Sequence, residues 1–180
     1  MKPFIDATAV EQIKNFRLPK YEEIPNVGLF LEQVVKYVNE FLEPLGNVSL
    51  TGSMISNYVK KDLIANPIKK LYYRDHIIYV FFIAIAKSVL SLEELEALIY
   101  NNGRKYDHRF LYEYFTKEFQ NILFYAFGIN EEYEETELSP GQYRYLLRNT
   151  IITASHKIYL DIIFQQEISR IEKNKAEKTS

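Results

Sequence analysis

Apolar positions in this chain recur mostly at helical spacing. Leu31, Val34, Val35, Val38, Phe41 and Leu42 fall at i, i+3, i+4 and i+7, which predicts a one-sided helix over 27–42 stopped by Pro44 and Gly46. A short helix with Thr51 as N-cap is expected over 51–61. Tyr73 to Leu90 is apolar nearly all round, the pattern of a helix at the centre of a core. Ser91 with Glu94 three residues on is a capping box and opens a helix to about Tyr100. Phe110, Leu111, Tyr114, Phe115, Phe119, Ile122 and Leu123 mark another helix over 107–127. A second capping signature, Ser139-Pro140-Gly141-Gln142, starts a long helix expected to reach about Lys173. The N-terminal 25 residues hold Pro3, Pro19 and Pro25 around the amphipathic Val10, Ile13 and Phe16, reading as a short helix and an extended arm. Residues 65–72, with Pro67, Lys69 and Lys70, read as a loop or tight hairpin.

The expected fold is therefore all-α: a helical bundle containing a winged helix-turn-helix, with at most a minimal β wing. The regions are an arm over 1–26, a helix-turn-helix-like region over 27–90, a helical dimerisation or effector region over 91–173 and a frayed tail over 174–180. The long helix is about 50 Å at 1.5 Å per residue, and is apolar around much of its surface. Leu147, Ile151, Ala154, Ile158, Gln165 and Ile168 approximate a heptad seam, so a homodimer through the 139–173 helix is expected, with the centre of the monomer's own bundle as the alternative.

Composition narrows the chemistry. The 180 residues contain no Cys and three His, which leaves no thiolate metal site and no cysteine nucleophile. His76, His108 and His156 lack metal-ligand spacing and read as structural. No phosphate-binding glycine loop, no nucleophile elbow and no nucleophile beside a base occurs, so catalysis, cofactor and metal are not expected. The acids Glu131, Glu132, Glu134, Glu135 and Glu137 lack the alternating ligands and glycine of a calcium loop and read as a solvated loop. The longest apolar run, Ile77 to Ala86, is too short to cross a membrane, and no signal-peptide core follows the N-terminus, so a cytoplasmic location is expected. Of the fifteen Tyr and twelve Phe, thirteen form a stripe on the 73–90 and 106–127 helices. That stripe reads as core, with a pocket for a small apolar effector as the alternative.

Charge singles out one segment. The chain carries −2 overall, yet Lys60, Lys61, Lys69, Lys70 and Arg74 outnumber Asp62 and Asp75 between Ser53 and His76. On the 51–61 helix, Met54, Ile55, Tyr58 and Val59 share one face, and Ser53, Ser56, Asn57 and Lys60 share the other. Small hydrogen-bonding side chains and a cation are the types that enter a major groove and contact phosphates. Tyr58, Leu63-Ile64, Pro67, Lys69-Lys70, Tyr72 and Arg74-Asp75 resemble the winged helix-turn-helix of MerR-type transcription regulators, with Asp62 where that family has Gly. The resemblance implies that Tyr58 and the wing lysines touch phosphates while Ser53, Ser56 and Asn57 approach bases. Over about 15–160 the chain also resembles a bacterial family described as a domain of unknown function, number eighteen-thirty-six. The likeness rests on residues 18–25, 50–60 and 70–76, and the family is itself presumed to regulate transcription.

The functional expectation is a DNA-binding transcriptional regulator of double-stranded DNA. Its contacts are Ser53, Ser56, Asn57, Tyr58, Lys60, Lys61, Lys69, Lys70, Tyr72 and Arg74. The alternative is a non-enzymatic protein-interaction module using the same basic surface.

Overall fold

The computed structural model describes residues 7–102, 107–133, 136 and 142–179. Among these residues it is all-α, as the periodicity predicts. The helices are α1 (Ala7–Lys14), α2 (Leu31–Leu42), α3 (Gly52–Lys60), α4 (Arg74–Ala86), α5 (Leu92–Asn102), α6 (His108–Ala126) and α7 (Gln142–Thr179), with 3-10 turns at Tyr21–Glu23 and Glu43–Leu45.

The hub is α4. Nine of its residues are buried, and Phe81 meets Tyr37, Phe41 and Tyr112 edge-on or tilted at centroid distances of 6.1, 5.9 and 6.4 Å. Aromatic rings favour such offset geometries because the positive edge of one faces the negative face of another. α6 and α7 close the other side, with Phe119, Ile122, Leu123, Ile151, Ala154 and Ile158 in the core. The N-terminal arm is fastened to this body by Tyr21, whose ring is flanked by the guanidinium groups of Arg74 and Arg109 at 4.9 and 5.5 Å. Its hydroxyl donates to Asp75 at 3.0 Å. Burial and that bond hold the Tyr21 phenol above its usual range.

The caps at Thr51 and Ser91 fall where the sequence puts them, and Asp107 adds one. Thr51 Oγ1 accepts from the Met54 amide, Asp107 accepts from the Phe110 amide, and Ser91 with Glu94 form the reciprocal box. The Ser139–Gly141 signature lies outside the described residues.

Three boundaries differ from expectation. α2 begins at Leu31 rather than Val27, because residues before it run extended and Leu29 pairs with Tyr72 across an antiparallel bridge. Gly28 permits that approach: a Cβ there would stand 2.7 Å from Leu71 Cβ. α4 stops at Ala86, where Leu90 N–H and Lys87 N–H close turns onto Ala86 and Ile83 carbonyls. α7 continues to Thr179, so the segment from Asn174 is helix rather than a frayed tail. The expected heptad seam is also spent: Leu147, Ile151, Ala154 and Ile158 are buried in the chain's own core, while Gln165 and Ile168 are exposed.

Candidate nucleic-acid interface

The segment from α3 to the start of α4 is built as a helix, a tight exit and a hairpin. α3 leaves through Asp62, at φ 55°, with Leu63 N–H bonded to Tyr58 O at 3.0 Å and Asp62 N–H to Val59 O at 3.1 Å. That paired closure needs a left-handed residue, a conformation that Asp tolerates better than most non-glycine residues. The chain then turns back at Lys69-Lys70, with Ile68 and Leu71 exchanging both backbone bonds at 3.0 and 2.9 Å. Tyr72, just past the hairpin, pairs with Leu29, so α2's entry and the hairpin are tied together by two isolated antiparallel bridges.

Lys69 and Lys70 sit at φ 50° and 67°. A two-residue turn of this hand takes Asn-Gly or Asp-Gly by preference, since left-handed backbone costs other residues roughly 1–2 kcal/mol each. Replacing the pair by Lys69→Asn with Lys70→Gly is therefore expected to raise stability by about 1–2 kcal/mol in urea unfolding. A loss of stability would show that the lysine stems pack and are more than bystanders to the turn.

Three side chains hold this unit in place. Asn39 of α2 clamps both backbone groups of Leu50, donating to its carbonyl and accepting from its amide at 2.9 Å each, just before α3 begins. Lys87 donates to Ser49 O at 2.6 Å, and burial pulls its ammonium below the usual range. His76 accepts from Tyr73 N–H through Nδ1 at 3.0 Å, and its Nε2 lies 3.2 Å from Asn66 O. One imidazole thus caps α4 and pins the foot of the hairpin, the structural role that its position suggests.

The sequence-predicted residues divide into two sets. Ser53, Asn57, Lys60, Lys61, Lys69 and Lys70 are exposed and Ser56 is half-buried, so the polar face of α3 points outward as expected. Tyr58 and Tyr72 are corrections: at 4 % and 5 % exposed, both rings are core, and burial pushes both phenols up. Arg74 is a third, since its Nε donates to Ile24 O at 2.9 Å and its plane lies on Tyr21. It fastens the arm and is not a free phosphate ligand. Among the described residues none of Lys60, Lys61, Lys69 and Lys70 has an acidic partner within ion-pair distance. Sequence reasoning missed Asn39, Lys87 and Gly28. Their roles depend on backbone groups brought near by the fold, for which a linear pattern carries no signal.

The residues 19–115, more than half of the chain, match the family described as Domain of unknown function (DUF1836). The chain belongs to this family. The DUF1836 match takes in the end of the arm from residue 19, α2 to α5 and the first part of α6, and so contains the whole candidate interface while leaving out α1 and α7. No curated protein and no solved structure matches the chain.

Elsewhere the chemistry is sparse. No helix is long and apolar enough to cross a membrane, and no cluster of three His, Cys, Asp or Glu that would hold a metal occurs among the described residues. Between α4, α5, α6 and α7 the aromatic stripe encloses a cleft lined by Tyr79, Phe82, His108 and Phe115, with free volume of about 40 Å³. Ligand pockets run to roughly 300 Å³ or more, so the stripe acts here as packing. Glu131 and Glu132 are exposed; Glu134, Glu135 and Glu137 lie outside the described residues.

Proposed function

We propose that this DUF1836 protein binds double-stranded DNA as a transcriptional regulator, placing the outward face of α3 against bases and the lysine-tipped hairpin against phosphates. The observation that carries the reading is the hairpin tip. Two adjacent lysines occupy left-handed positions that glycine or asparagine would fill at lower cost, and neither is neutralised by an acid among the described residues. Strained backbone retained at an exposed, charged tip is the mark of a site kept for contact rather than for stability. Lys60 and Lys61 add charge at the end of α3, and Ser53, Ser56 and Asn57 supply hydrogen-bonding groups that suit base edges.

The mechanism is non-covalent. Each lysine that neutralises a phosphate releases condensed counterion, so affinity falls with salt by about 0.9 decades per decade for each contact. Anisotropy on duplex DNA across salt concentrations is expected to show steep dependence, with Lys69→Ala plus Lys70→Ala flattening the slope by about two. Asn57→Ala is expected to relax preference at one base pair, at about 1–3 kcal/mol, without changing that slope. Failure of the wild type to bind any duplex at low salt would overturn the reading.

A second reading has its own observation. Phe30 and Ile68 are 60 % and 58 % exposed beside the hairpin, and Phe30 lines a shallow groove with Pro67 and Lys70. An apolar pair bordered by Lys70 on one side and Glu32 on the other suits a protein partner, the interaction-module alternative. Retention on DNA that survives Phe30→Ala and Ile68→Ser separates the two.

A further inference from the structure

α7 is 38 residues long, about 57 Å, and only part of it is needed by the body. Its core face carries Leu147, Ile151, Ala154, Ile158 and Ile162. Gln165 donates to Asn47 Oδ1 at 2.9 Å and Gln166 to Thr8 Oγ1 at 3.4 Å, and from Ile168 to Glu177 every residue is exposed. On the flank opposite Ile158 and Ile162 stand Leu160, Phe164, Ile168 and Ile171, between 46 and 61 % exposed. Their spacing of four, four and three spans eleven residues in three turns. A period of about 3.67 is close to the helix's own 3.6, so the four form a nearly straight apolar line.

We infer that this line is covered by a second copy of the same chain, the two α7 helices pairing antiparallel about a two-fold axis near residues 165–166. The line exposes on the order of 400 Å² of apolar surface, as much as the largest patch on a typical monomer. Covering two such lines with their flanking stems removes on the order of 1,000 Å² from water, the lower bound of a specific interface and the size of a weak, concentration-dependent one.

A two-fold interface must be complementary to itself. Read backwards, the line has nearly the same spacing and bulk, so antiparallel pairing sets Leu160 level with Ile171 and Phe164 beside the Glu167–Ile168 step. The charges choose between orientations. In a parallel pair Lys157 and Glu167, the charges that border the line, would each meet their own copy, and like charges across an interface oppose association. The antiparallel register sets Lys157 level with Asn174 and Glu167 level with Phe164 instead. Three acids and three bases between 161 and 175 balance, so the segment carries no net charge that selects a partner of one sign. This seam differs from the one that heptad spacing suggests, which the body already uses. The inference does not rest on nucleic-acid binding, and its test contains no DNA.

The experiment is sedimentation equilibrium of the full chain from about 1 to 200 μM, the range in which an interface of this size associates. The weight-average mass is expected to rise from 21.3 kDa toward twice that value. Phe164→Glu with Ile171→Glu should hold the monomer mass throughout, with unchanged helix content and unfolding midpoint because both residues are exposed. The chain has no cysteine, so orientation can be read directly. A mixture of Leu160→Cys and Ile171→Cys proteins should form the interchain disulfide at least ten times faster than either alone. A wild type that stays monomeric at every concentration overturns the inference and hands the line to a different protein. A double variant that still associates, or Leu160→Cys that cross-links with itself as fast as the mixture, also overturns it.

Discussion

Arg148→Met is expected to lower the unfolding free energy by about 3–5 kcal/mol, because it strands a carboxylate that has no exposure at all. Glu118 accepts from Arg148 Nε at 3.2 Å through one oxygen and from the Thr136 amide at 3.1 Å through the other. The guanidinium lies 5.5 Å from the centre of the Tyr133 ring and is only 22 % exposed, so water cannot take its place cheaply. This pair locks α6 to α7 across the segment that joins them. Removing both charges tells the rest: Glu118→Met with Arg148→Met is expected to recover most of the loss, since an apolar pair of similar volume has no desolvation to offset. Urea unfolding followed by circular dichroism reads both variants. A single-variant loss below about 1 kcal/mol would mean that Glu118 keeps adequate partners without Arg148.

The second large effect is at the hub. Phe81→Ala should cost about 3–5 kcal/mol, the transfer free energy of the ring plus the cavity left where four aromatics converge. Domains of this size commonly have only about 5–15 kcal/mol in total, so the variant should sit close to its unfolding threshold at 37 °C. Tyr37 and Phe41 belong to α2, the helix whose Asn39 clamps the entry to α3, so the loss should spread to the candidate interface. Amide exchange in α3 is expected to accelerate along with that of α4. Exchange in α3 that stays at the wild-type rate would show the interface to be held independently of the hub.

Helices came through in the sequence wherever one face or every face was apolar. α4 is the clearest case: Ile77 to Ala86 offers no polar side, and a helix without one belongs inside. The caps at Thr51 and Ser91 were equally legible, because the donor and acceptor that satisfy them lie three residues apart. The start of α2 was not. Val27 continues the periodicity, and only pairing of Leu29 with a residue 43 positions further on keeps that stretch extended. The charged half of the candidate site was readable, since exposure of lysine is the default. Its aromatic half was misread: Tyr58 shares the apolar face of its helix with Met54, Ile55 and Val59, and both its ring and that of Tyr72, which sits in the bridge to Leu29, went inward. Arg74 likewise found the carbonyls of an arm fifty residues earlier. The seam of α7 was misassigned because two apolar lines share one helix, and periodicity alone does not say which of them a monomer will claim.

The dependence of the core on α7 has a consequence for biosynthesis. Five of its side chains seal the faces of α4 and α6, and they leave the ribosome after both of the helices they cover. At 5–20 residues per second its 38 residues take about 2–8 s to make, far longer than collapse of the preceding helices. For those seconds the nascent chain holds the α3 segment and its hairpin beside an open apolar trough, the kind of surface that chaperones shield and that aggregates when they are scarce.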